Sequence, residues 1–183
     1  MTNISETLTN IMSTVLDDEA ESTFHVGEVM NLWTYLTMLE EANRFVEIGI
    51  NTTTDDELIE ALKYSWDDCN KQVIEVRKLL QNEGVGLPPT TEPKPKSDSE
   101  DIPIGVKMTD DEIANGVVMK LVSAISFCGV ALSQSLRTDI GKLWYDFLNT
   151  RVKFSAYYMP IMRKRGWIKV PPYYVPNGLP KNK

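Results

Sequence analysis

Few side chains in this sequence could do chemistry. The chain has 183 residues, with one histidine and two cysteines. His25 and Glu28 are spaced to share one face of a helix. They could supply half of a mononuclear metal site, completed by a ligand from another helix or another chain. The same spacing fits a histidine that simply opens a helix and bonds locally. Arg151 falls between Phe147 and Phe154 on an otherwise apolar helical face. A buried guanidinium without a counter-charge is expensive, so a carboxylate partner is expected. Glu40, Glu41 or Glu28 could provide it, and the pair singled out is Glu40 with Arg151, as a structural ion pair. Cys69 and Cys128 lie on apolar stripes, where thiols usually pack inertly; a redox pair is the other reading. Trp33, Trp66 and Trp144 fall on apolar faces, one per helix, and read as core. No glycine-rich phosphate loop and no Gly-x-Ser-x-Gly elbow is present.

Four long helical segments must position these groups. The first runs from about Thr23 to Ile48, with Leu32, Tyr35, Leu39, Ala42 and Val46 as its stripe and Gly49 as its stop. The second opens with the capping tetrapeptide Thr54-Asp55-Asp56-Glu57. It continues through Ile59, Leu62, Trp66, Cys69, Val73, Val76 and Leu80 to Gly84. The third opens with the same tetrapeptide, Thr109 to Glu112. Lys120 is its sole charge between Ile113 and Leu136, which suggests a central, buried helix rather than a membrane span. The fourth begins near Thr138 and carries Ile140, Trp144, Phe147, Phe154, Tyr158 and Ile161, with Pro160 expected to kink or end it.

Between the second and third helices lies a stretch of different composition, residues 84–108, with five prolines. In polyproline-like form at about 3.1 Å per residue it could span roughly 70 Å. A helix of the neighbouring length reaches only about 40 Å, so the linker can cross a whole bundle. The predicted fold is therefore all-α: a ferritin-like up-down four-helix bundle with a long Pro-rich crossover between helices 2 and 3. Residues 1–22 form a short N-terminal helical arm, 23–166 the bundle, and 167–183 an extended Pro/Tyr-rich tail, read as a strap along the bundle or a docking arm.

Di-iron members of that architecture need a Glu-x-x-His motif on each of two helices. One histidine cannot supply two such motifs. No cofactor is expected, apart from a single metal ion for which His25 and Glu28 would supply part of the ligand set.

Composition bounds the rest. The apolar fraction is 42%, the charged fraction 25% and the net charge -7, which argues against nucleic acid as a partner. Residues 1–101 carry -14 and residues 102–183 carry +7. Those halves could pair within one bundle or between copies. The basic run Arg163-Lys164-Arg165 suits a helix C-terminus. No secretory signal is visible, and a cytoplasmic or spore-associated location is expected.

Three blocks carry a resemblance: His25 to Leu36, Glu83 to Pro89, and Arg165 to Pro172. They are similar to a family of small helical proteins from spore-forming bacteria, catalogued as a domain of unknown function, some of whose members carry a spore-coat label. The resemblance implies a ferritin-like bundle, an association with sporulation or the coat, and no established catalytic residues. The expected role is that of a non-catalytic structural or interaction protein, partnered by copies of itself or by coat proteins. The alternative is a bundle that binds a metal ion or small molecule at a non-standard site.

Overall fold

Helix ends in this chain are set by local chemistry that the sequence shows openly. The structure, a computed structural model, describes residues 23–174. It contains α1 (Val26–Thr52), α2 (Asp56–Asn82), α3 (Asp110–Gln134) and α4 (Thr138–Lys164), with one short 3₁₀ turn at Ser99–Asp101. At the start of α3, Glu112 N–H donates to Thr109 Oγ1 and Thr109 N–H donates to Glu112 Oε2, a closed capping box. At the start of α2 the cap is Asp55 and not Thr54: its carboxylate accepts from Leu58 N–H at 3.0 Å. Asp55 also binds Arg165, so its charge serves two purposes there. Helices α2 and α4 end alike. Gly84 and Gly166 adopt φ of 69° and 72°, and the following residue reaches back, Val85 N–H to Leu80 O and Trp167 N–H to Met162 O. Both Val85 and Trp167 then pack against the core, which completes a Schellman-type stop.

Neither Gly49 nor Pro160 ends its helix. Gly49 lies inside α1, which continues to Thr52. Its role is close approach: a Cβ there would sit 3.0 Å from Ile113 and 3.1 Å from Leu62. Pro160 lies inside α4. Ala156 and Pro160 are both exposed, so the carbonyl that loses its amide partner can be satisfied by water. The last turn is meanwhile held by buried Met162 and by Lys164 bonding to Glu57.

Helix directions follow from the contacts. Arg165 meets Asp55, so α4 runs opposite to α2. Glu28 meets Leu136 and Gly49 meets Ile113, so α3 runs opposite to α1. Short turns reverse the chain between α1 and α2 and between α3 and α4. The directions are therefore up, down, down, up, and the crossover must return along the whole bundle. It does so along α1. Trp33 Nε1 donates to Gly86 O, Lys94 N–H donates to Glu47, Asn51 donates to Pro95 O, and Ser99 Oγ donates to Thr52 O.

The core has two apolar clusters. One gathers Leu32, Tyr35, Leu36, Val76, Leu80, Cys128 and Trp144; the other gathers Val46, Leu58, Leu62, Ile113, Phe154, Tyr158 and Met162. Of the three tryptophans read as core, Trp144 is fully buried, whereas Trp33 and Trp66 sit at the edge and donate to Gly86 O and to Glu47. Helix α3 is not the central, buried helix its composition suggests: six of its 25 residues are buried, against ten of 27 in α1 and in α2. The N-terminal arm, and the tail beyond residue 174, lie outside the described residues.

Candidate functional site

A polar layer divides the two clusters at mid-bundle. From α1 it takes Glu40 and Asn43, from α2 Ser65, Asp68 and Gln72, and from α4 Arg151, all buried. Helix α3 contributes no buried charge; its Cys128 is buried and its half-buried Lys120 stands beside Leu121. Arg151 is 3% exposed. Its Nη2 donates to Gln72 Oε1 at 2.6 Å and its Nη1 donates to Cys69 Sγ at 3.3 Å. The Tyr35 hydroxyl donates to the same Gln72 oxygen at 2.8 Å. The Arg151 Nε–H is buried without a partner.

The predicted pairing of Glu40 with Arg151 is not the one formed. Glu40 instead takes Arg77 of α2, whose Nε donates to Glu40 Oε1 at 3.0 Å. Arg77 approaches from the bundle edge and stays partly hydrated, so that pair forms without full desolvation of both ions. Glu41 is exposed and accepts from Thr91. Glu28 is engaged elsewhere: one carboxylate oxygen accepts from Leu136 N–H and Arg137 N–H, and the other from His25 N–H. His25 is the N-cap residue of α1, so the pair acts as a helix-start clamp that also ties down the α3–α4 turn. Gln72, Cys69 and Tyr35 were the hidden partners of Arg151. A neutral partner on another helix leaves no signal in sequence spacing.

Electrostatics in this layer follow from burial. Desolvation pushes the Tyr35 phenol well above its ordinary range, against the pull of Arg151. The Cys128 thiol is likewise pushed up by burial. Both are therefore neutral near pH 7. Desolvation works against the Arg151 guanidinium, but its contacts with Cys69 and Tyr35 outweigh this and keep it protonated. Burial also raises Asp68, whose Oδ1 is 3.8 Å from Lys71 and whose Oδ2 has no partner. Among the described residues no carboxylate lies within ion-pair distance of Arg151, and no three His, Cys, Asp or Glu side chains cluster as a metal site would require. The two cysteines are free and buried.

Beside this layer a cavity of about 480 Å³ opens between α1 and α3. Its walls are largely apolar, including Leu39, Ala42, Val46, Val117, Leu121 and Phe154, and Cys69 and Arg151 line it too. Lys120 lines it as well, with its ammonium 4.9 Å from the Phe45 ring centroid and its pKa lowered by burial.

The bipolar charge is partly used within the chain. Arg165 binds Asp55 and Glu57, Lys164 binds Glu57, and Lys169 binds Asp111. Trp167 and Ile168 pack on the core, whereas Tyr173 and Tyr174 are almost fully exposed.

Comparison with known proteins places this architecture. The profile of a family described as "Protein of unknown function (DUF3231)" matches residues 13–178. An uncharacterized protein of Bacillus subtilis (strain 168), YvdQ, is 28% identical over 151 residues, covering 82% of this chain and 89% of its own length. A crystal structure of a "putative spore coat protein" from Bacillus halodurans C-125 superposes with a TM-score of 0.82 at 27% identity, covering 85% of this chain and 98% of the other.

Proposed function

The chain belongs to the DUF3231 family, and from that premise we propose that it is a non-catalytic interaction protein of ferritin-like topology, associated with the spore coat, that self-associates through the outer face of α3. The up, down, down, up order with its full-length crossover supports the ferritin-like part. The spore-coat part is supported by the name carried by the Bacillus halodurans relative.

The observation that carries the interaction role is the outer face of α3. Met119, Val122 and Val130 are 67%, 54% and 55% exposed, and Ser123, Ser126 and Ser133 lie among them, also exposed. No charge interrupts that face. A contiguous apolar and small-residue strip marks an interaction site more often than a solvated helix surface. A second copy fits it well, because serines permit close helix approach and no like charges meet. The non-catalytic part is supported by the guanidinium at mid-bundle, which would repel a divalent cation at the level where such bundles hold metals.

Light scattering after size exclusion tests the reading. The wild type should run as an oligomer whose size is insensitive to salt, since the face is uncharged. The double variant Val122→Glu, Val130→Glu should be monomeric with unchanged helix content. A wild type that stays monomeric at a few hundred micromolar would reject the self-association.

A further inference from the structure

Three facts at mid-bundle belong together. The cavity between α1 and α3 has largely apolar walls, it holds about 480 Å³, and Arg151 lines it. A volume of this size falls in the range of about 300–1,000 Å³ typical of small-molecule sites. Arg151 carries its full charge with no carboxylate in ion-pair distance among the described residues, bonds to Gln72 and Cys69, and leaves its Nε–H unused. A buried cation without an anion is unfavourable, and the molecule keeps it there instead of an apolar residue. Asp68, a carboxylate that Arg151 influences electrostatically, lies outside ion-pair distance.

We infer that this cavity is a binding site for an amphipathic monoanion: a single apolar chain or ring system ending in a carboxylate, with the carboxylate on Arg151 and the apolar body between α1 and α3. The apolar walls would desolvate the body. The guanidinium would gain a charge-assisted partner in a low-dielectric setting, where such bonds are strongest. The mouth carries both signs, exposed Glu41 and half-buried Lys120, so it sets little preference of its own. Selectivity for an anion therefore rests on Arg151. Desolvated Tyr35 and Cys128 are neutral and do not compete for that role.

The test uses the full-length chain with sodium decanoate, decanol and decylamine, all below micelle formation, measured by calorimetry and by the fluorescence of Trp33, which lines the cavity. Decanoate should bind one per chain and at least tenfold more tightly than decylamine, with decanol between them. Ala124→Phe, which fills the cavity, should abolish all three. Arg151→Met should bring decanoate down to the affinity of decanol while leaving decanol unchanged. Absence of decanoate binding to the wild type would overturn the inference. So would equal binding of acid and amine, or binding that survives Ala124→Phe. Should Arg151→Met fail to fold, the acid–amine ratio and the Ala124→Phe result still decide it. Met119 and Ser123 belong to the α3 face and also line the cavity, so light scattering of the same variants is measured alongside to read self-association separately from binding.

Discussion

The two apolar clusters and the polar layer between them are built from the same four helices, yet they are held together differently. In the cluster around Trp144 the side chains interlock. Tyr35 stacks on Phe127 and Phe147 with centroids 5.6 and 5.7 Å apart, and Trp144 meets Tyr35 edge-on at 5.1 Å. Most contacts there are apolar burial or ring geometry, which adds stability in proportion to area, and the polar exceptions are the Tyr35 hydroxyl, which donates to Gln72, and the Trp144 Nε1–H, which is buried without a partner. In the polar layer the side chains satisfy one another incompletely. Arg151 Nε, Asp68 Oδ2 and Asn43 Oδ1 are buried with no bond, and a cavity adjoins them. A fold selected for stability alone would fill that layer with hydrocarbon. On the inference drawn above, the clusters serve folding and the layer serves recognition.

Four experiments break or sharpen that contrast. The largest effect is expected in the cluster: Trp144→Ala should cost about 3–5 kcal/mol in urea denaturation, because it removes a fully buried indole and three ring contacts. A crowding change at the α1–α3 crossing should come next. A Cβ at Gly116 would lie 2.3 Å from the Phe45 ring, so Gly116→Val should destabilise by about 1–3 kcal/mol, and a second change, Phe45→Leu, should recover part of it.

Third is the end of the bundle. The bond from Arg165 holds the Asp55 carboxyl below the usual aspartate range, with the Leu58 amide adding to it. A depressed folded-state value means the stabilisation is present above the unfolded value of about 3.9 and is lost as pH falls through the folded one. Asp55→Asn keeps an N-cap acceptor but loses the charge that pairs with Arg165, so it should lower the unfolding free energy at pH 7 by up to about 1 kcal/mol, the range of a partly exposed pair. The difference from wild type should vanish under strong acid.

The smallest effect belongs to the layer, with the opposite sign. Burial raises Asp68, so its ionised form opposes folding at neutral pH. Asp68→Asn should raise Tm slightly at pH 7, and the gain should disappear below about pH 4, where the carboxyl is protonated in folded and unfolded chains alike. A clear loss of stability at pH 7 would instead show Asp68 to be a necessary counter-charge for Arg151, and the layer would then be structural.

Much of the frame was legible beforehand. Thr109 with Glu112 and the glycines at 84 and 166 act within a few residues of themselves, so local sequence suffices to place α3's start and two helix ends. Proline density in residues 84–108 fixed a crossover long enough to return along the bundle, and the burial of Arg151 followed from its place between Phe147 and Phe154. Other readings failed for a common reason. Gly49 and Pro160 carry strong breaker signals, but Ile113, Leu62, Met162 and the Lys164–Glu57 pair come from elsewhere in the chain or from the turn beyond, and they override a local cost of a few kcal/mol.

The candidate site was half visible. Its cation could be named, because a lone charge on an apolar stripe stands out in one dimension. Its partners could not: charge matching nominated Glu40, whereas Gln72 and Cys69 are not carboxylates and lie 79 and 82 residues away. Helix periodicity says which face turns inward, and capping says where it begins. Sequence thus determined four helices, the start of α3, the ends of α2 and α4, and the buried cation Arg151. Only packing in three dimensions decided that α3 stands at the rim and not at the centre, and that Arg77 takes Glu40. It also decided that a cavity remains beside Arg151, since voids and neutral bonds arise from how helices meet.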